Sequence, residues 1–97
     1  MNLVWSDAAQ YHMASVRSYL TGQKSLHADD LIERIIARTE ILKTSPHIGS
    51  PVPEFPTHRF RELIEPPYRI LYEVRTDEVI ILAVHHVRRR LPSTPRF

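Results

Sequence analysis

Hydrophobic positions along the chain change their period once, near the middle. Within "DAAQYHMASVRSYL" the apolar residues Ala9, Met13, Val16 and Leu20 recur at the spacing that stacks side chains on one face of an α-helix. Ser6 or Asp7 can cap its start by accepting an orphan backbone N–H, and Gly22 ends it. A second set, Ala28, Leu31, Ile32, Ile35, Thr39 and Leu42, forms one face of "LHADDLIERIIARTEILK". Ser25 is the expected cap there, Asp29 and Asp30 suit the positive end of the dipole, Lys43 suits the negative end, and Pro46 stops the helix. The link "TGQK" is short enough to make the pair an antiparallel helical hairpin.

The other segments read as strands. "NLVWS", ahead of the first helix, is a β-forming burst too short to be helical. Beyond a proline-rich stretch from Ser45 to Pro56, read as an ordered loop, apolar residues alternate with period two. "RFRELIE" is one strand, Pro66-Pro67 breaks it, "YRILYEVR" follows, and Thr76-Asp77 turns into "EVIILAVHH". The order predicts an α+β domain: an antiparallel sheet of order β-α-α-β-β-β, with the helical hairpin packed on one face.

A two-residue turn at Thr76-Asp77 sets Arg75 opposite Glu78 and Tyr68 opposite His85. One face then carries Tyr68, Ile70, Tyr72, Val74, Val79, Ile81, Ala83 and His85, and should meet the helices. The other mixes Arg69, Leu71 and Glu73 with Ile80, Leu82, Val84 and His86, and should lie under a partner, the tail or a substrate. A slip of one residue would exchange His85 for His86.

At 97 residues and 11.4 kDa the chain suits a single domain, residues 1–97, with 88–97 as a basic tail. So small a domain is marginal by itself, which favours a partner or self-association. No apolar run reaches a membrane span and the N-terminus lacks a signal-peptide layout, so a cytoplasmic location is expected. There is no cysteine, and the six histidines include no helical i, i+4 pair, so neither metal nor other cofactor is expected.

Charge is uneven. Residues 1–58 hold six acids against five bases, whereas 59–97 hold five acids against eight arginines and no lysine. The last ten residues, "RRRLPSTPRF", contain four arginines and no acid. The planar guanidinium fork suits phosphate or carboxylate. A bare nucleic-acid-binding module is the simplest use of such a face, yet neither a glycine-rich loop nor an aromatic ladder supports it.

Taken together, the later motifs resemble the RelE/ParE superfamily of type II toxin–antitoxin toxins. They are the Leu42-x-x-x-Pro46-x-x-Gly49 loop, Arg61-x-Leu63, Tyr68-Arg69-x-x-Tyr72, and a last strand ending in His85, His86 and arginines, after a Trp5-Ser6-x-x-Ala9 opening. The resemblance covers Val4 to Arg90. It implies a growth-inhibiting cytoplasmic toxin, associated with plasmid stabilisation and neutralised by a cognate antitoxin that wraps across it. A homodimer, or a heterotetramer with the antitoxin, is the implied assembly.

The superfamily has two branches: RelE-like members cleave mRNA on the ribosome, and ParE-like members poison DNA gyrase. For the nuclease branch the resemblance implies Arg61 and Arg69 as a phosphate clamp, Glu54 as a catalytic carboxylate and His86 as acid or base. The same arginines could instead pair with Glu62, Glu65 or Glu73 across strands. For target or antitoxin contact it implies Arg61, Arg69, Glu73, His85, His86, Arg88, Arg89 and Arg90. "PVPEFPTHRF" lacks the nucleases' lysines, and no tyrosine or histidine follows His86. The acid–base set is therefore incomplete, which favours the ParE-like inhibitor over a RelE-like endonuclease or a degenerate, non-toxic member.

Overall fold

Ser6 shows how the local signals become architecture. Its Oγ accepts the Ala9 N–H at 3.0 Å, capping the first helix, and donates to the Leu82 carbonyl at 3.2 Å, tying that helix start to the last strand. The computed structural model describes residues 1–24 and 26–97. The elements are β1 (Asn2–Trp5), α1 (Asp7–Gly22), α2 (Ala28–Ile41), β2 (Ser50–Pro51), β3 (Phe60–Glu65), β4 (Tyr68–Val74) and β5 (Glu78–His86). The expected cap Ser25 lies outside the described residues. Gly22 remains inside α1, and the left-handed residue of the inter-helix link is Lys24, with φ 52°.

The α+β class and the helical hairpin on one sheet face are as expected, but the sheet is mixed rather than wholly antiparallel. Its order is β1-β5-β4-β3-β2, and β1 runs parallel to β5, from Asn2 opposite Glu78 to Trp5 opposite Ile81. The two-helix excursion returns the chain to the end where β1 begins, where the Met1 ammonium donates to the Lys43 carbonyl at 2.9 Å, and the short β2 leads back to the start of β3 at that end. Strands β1, β3 and β5 therefore point the same way, and period-two patterning carries no information about that direction. The proline-rich loop contributes the extra strand β2, whose Pro51 is tolerated because it lies at the sheet edge.

Between helices and sheet, Ala9, Ile32, Ile35, Leu42, Ile70, Tyr72, Val79 and Ile81 form the buried core. Thr39 is fully buried among them, and its hydroxyl donates to the Ile36 carbonyl at 2.7 Å. The opposite sheet face carries a smaller cluster of Val52, Phe55, Leu71, Ala83 and Leu91, ringed by Phe60 and Phe97. The proline-rich loop and the returning C-terminal tail thus cover the face that the sequence left open.

The β4–β5 register begins as predicted, with Val74 opposite Val79 and Tyr72 opposite Ile81. It then shifts by one, pairing Leu71 with Ala83, Arg69 with His85 and Tyr68 with His86, which leaves Leu82 as the extra residue of a bulge. The bulge reverses the expected faces of everything after it. Val84 joins the helix-side core, His85 joins Arg69 and Leu71 on the outer face, and His86 shares a side with Tyr68. The bulge sits where β1 has ended and α1 takes over the edge of β5. There Ser6 bonds the Leu82 carbonyl, and the His12 Nδ1 accepts the Val84 N–H at 3.2 Å.

Candidate functional site

The residues singled out in the sequence fall into three separate places. At the first, Arg69, the second residue of β4, sits on the outer face and is only 7% exposed. Its guanidinium donates to both Glu54 oxygens, at 2.6 and 2.8 Å, and from Nε to Glu62 Oε2 at 2.8 Å, with a further short contact from Nη2 to the same Glu62 oxygen. Hydrogen bonds from Arg69 hold the Glu54 carboxyl below its ordinary range, while those to Glu54 fix the positive charge of Arg69. Four of the five Arg69 N–H groups are committed to carboxylates, and one cation matched by two anions has no charge to spare for a phosphate, while Glu54 is not a free base.

At the second, Arg61 lies opposite Tyr72, on the helix side of the sheet. Its Nη1 donates to the carbonyls of His47, at 3.2 Å, and Gly49, at 2.6 Å. Tyr72 completes the clasp: its Oη accepts the Gly49 N–H at 2.9 Å and donates to the Pro46 carbonyl at 2.8 Å. A Cβ on Gly49 would come within 2.6 Å of that hydroxyl and 2.7 Å of the Glu62 carbonyl oxygen, so only glycine fits. The Leu-x-x-x-Pro-x-x-Gly pattern is therefore the signature of a packed loop. Arg61 and Arg69 point to opposite faces and do not form one clamp. Glu73 stays apart from both, 3.5 Å from Arg75.

The third place, at the end of β5, is different in kind. His85 is 5% exposed and its ring lies 4.4 Å, centroid to centroid, from that of His12 on α1. Burial, then the charges of His12, Arg89 and Arg69, push the His85 pKa down to about 4; burial and Arg89 also lower that of His12. Both rings are neutral at pH 7. His86 is exposed, edge-on to Tyr68 at 5.7 Å, and its Nδ1 accepts the Arg88 N–H at 3.1 Å.

After β5 the tail turns back across the outer face. Leu91 is buried, and Phe97 meets Phe55 and Phe60 edge-on at 6.0 and 5.7 Å. Between tail, β5 and α1 lies a cleft of about 380 Å³ lined by His12, His85, Arg89, Arg90, Leu91, Pro92, Arg96 and Phe97. Among the described residues, Arg59, Arg61, Arg88, Arg89, Arg90 and Arg96 have no carboxylate partner, whereas Arg17, Arg34, Arg38 and Arg75 each have one and Arg69 has two. Sequence reasoning found His85 and Arg88–Arg90 but missed His12, whose position outside the apolar set of α1 gave no sign of the contact. It also missed Phe97 as a wall.

An apolar groove of about 420 Å³ lies elsewhere, between α1, α2 and the end of β1, lined by Trp5, Met13, Ala14, Ile32 and Ile36 with Gln10 and Arg17. Among the described residues no group of three or more histidine or acidic side chains could hold a metal ion, and no helix is long and apolar enough to cross a membrane.

Residues 3–91 match the family model described as the ParE toxin of the type II toxin–antitoxin system parDE. Nine solved chains are similar to this one. One, from the chromosomal ParDE toxin–antitoxin system of P. aeruginosa, aligns with a TM-score of 0.70 at 22% identity, over 89% of this chain and 95% of its own; at that identity the likeness speaks for the fold. No curated protein matches the sequence. Pro92, Arg96 and Phe97, which form one wall of the cleft, lie beyond the family match.

Proposed function

The chain belongs to the ParE toxin family of type II toxin–antitoxin systems, and from that premise we propose that it binds and inhibits DNA gyrase in the cytoplasm without cutting nucleic acid, until a cognate antitoxin neutralises it. The observation that supports a non-nucleolytic action is the state of Arg69. A metal-free RNA cleavage site needs cations ready for the phosphorane and a carboxylate ready for a proton. Here Arg69 and Glu54 are bound to each other, with Glu62 as a third member, and Arg61 faces the other way. The unpaired arginines Arg88, Arg89 and Arg90, with His86 beside them, are the surface we assign to the target. Fixed charges free of internal partners steer an acidic partner and fix its register.

The antitoxin reading has its own support in the apolar groove. Exposed apolar surface of this kind marks an interface, and Ile36 in the groove's lining is 43% exposed. Ala14→Arg should block neutralisation and leave toxicity in place.

Purified chain added to gyrase and relaxed plasmid should reduce supercoiling, and the antitoxin should restore it. Unchanged supercoiling at saturating toxin would remove the gyrase reading. Primer extension on translated mRNA during induction should give no new 5′ ends; new ends would return the nuclease reading.

A further inference from the structure

Every polar side chain of the cleft at the end of β5 is a donor. His12 accepts the Val84 N–H on Nδ1, so its neutral ring carries its proton on Nε2. The Nδ1 of His85 is buried with no partner. Burying a bare lone pair there is less costly than burying an N–H with no acceptor, so the neutral ring keeps its proton on Nε2, the nitrogen left to meet the cleft. Arg89, Arg90 and Arg96 add three guanidinium groups, and no acidic side chain lines the space. Leu91, Pro92 and Phe97 wall it with apolar surface, which strengthens any ionic contact made inside.

We propose that this cleft is a phosphate-binding site, formed by His12 and His85 from the folded body and by Arg89, Arg90 and Arg96 from the tail, and resting on the contact surface proposed above. A carboxylate offers roughly four acceptor positions. Two imidazole N–H groups and three guanidinium forks exceed that number, whereas a phosphate brings more oxygens and close to two charges. The site is composite: α1 and β5 supply neutral donors, and the tail supplies charge and closes the wall. Arg96 and Phe97 lie outside the family-matched residues.

The test uses the full chain with neither gyrase nor antitoxin, so its failure is separate from that of the gyrase reading. Inorganic phosphate is titrated at fixed ionic strength while the imidazole resonances are followed by NMR. Saturable shifts are expected at His12 and His85 and not at His58, which stacks on Phe60 outside the cleft. The His85 midpoint should rise above about 4 when phosphate is present, because the anion offsets the Arg89 charge. Arg89→Ala should weaken binding by about tenfold or more, the usual scale for a lost charge-assisted hydrogen bond. Arg96→Ala, an exposed substitution that does not disturb the core, should weaken it in the same direction.

A 5′-mononucleotide and a short oligonucleotide distinguish the sources. Tighter binding of the first points to a free phosphate monoester, and of the second to a backbone phosphate; either supports the site. Shifts that follow chloride equally, equal response at His58, glutamate binding as tightly as phosphate, or unchanged affinity in both arginine variants would overturn it.

Discussion

Arg69 lies at the centre of the sheet between two carboxylates, whereas Arg89, just beyond the last strand, meets two histidines and two further arginines and no carboxylate. Both descend from the same arginine-rich half of the chain, and neither can lose its charge. The difference lies in what surrounds them. A guanidinium taken out of water must be matched by anions, because desolvation otherwise outweighs any gain. One at the rim keeps its hydration and remains free for an external anion. Of these two arginines, the matched one belongs to the scaffold and the unmatched one to the surface available for binding.

Removing one member from the matched set is the largest disturbance expected. Arg69→Ala strands Glu54 and Glu62 and should cost roughly 3–5 kcal/mol in urea unfolding. Adding Glu54→Gln and Glu62→Gln should recover a good part of that loss. Equal stability of Arg69→Ala and the parent would erase the distinction between the two arginines.

The loop that Arg61 clasps belongs to the scaffold as well. Gly49→Ala drives a Cβ into the Tyr72 hydroxyl and a backbone carbonyl, and should cost about 1–3 kcal/mol, read as a lowered melting temperature. An unaffected melting temperature would mean that the clasp yields easily.

Acid should separate the regions next. The folded chain holds His85 at about 4 against an ordinary 6.5, so between those values the unfolded chain binds more protons. The stability contributed by neutral His85 is complete above pH 6.5 and is lost as pH falls towards 4. Glu54, held low by Arg69, contributes above its ordinary 4.5 and loses that contribution only at more acid pH. Stability measured in steps from pH 7 to 4 should decline first through the histidine pair, and His85→Leu should flatten that part of the curve. A variant with the parent's slope would show that His85 titrates normally.

The smallest effect on stability belongs to the unmatched arginines. Combined Arg88→Ala, Arg89→Ala and Arg90→Ala should change unfolding by no more than about 0.5 kcal/mol at each exposed site. The same variant should lose most of its inhibition of gyrase supercoiling. A triple variant that inhibits fully would detach this surface from the target.

The sequence by itself determined the two amphipathic helices, a cap at Ser6 or Asp7, the three long strands and the motif set that marks the family, because each depends on side-chain period or on neighbours close along the chain. It also pointed to the end of β5 as a concentration of charge. Three matters were decided only by tertiary structure. The parallel direction of β1 depends on how the helical pair spans the sheet. The Leu82 bulge depends on Ser6 and His12 meeting the β5 edge from more than seventy residues away, and it alone sends His85 to the outer face. Whether an arginine is matched depends on which carboxylates the fold brings beside it. Arg69 and Arg89 look alike in the chain, and only burial against Glu54 and Glu62 makes one of them structural.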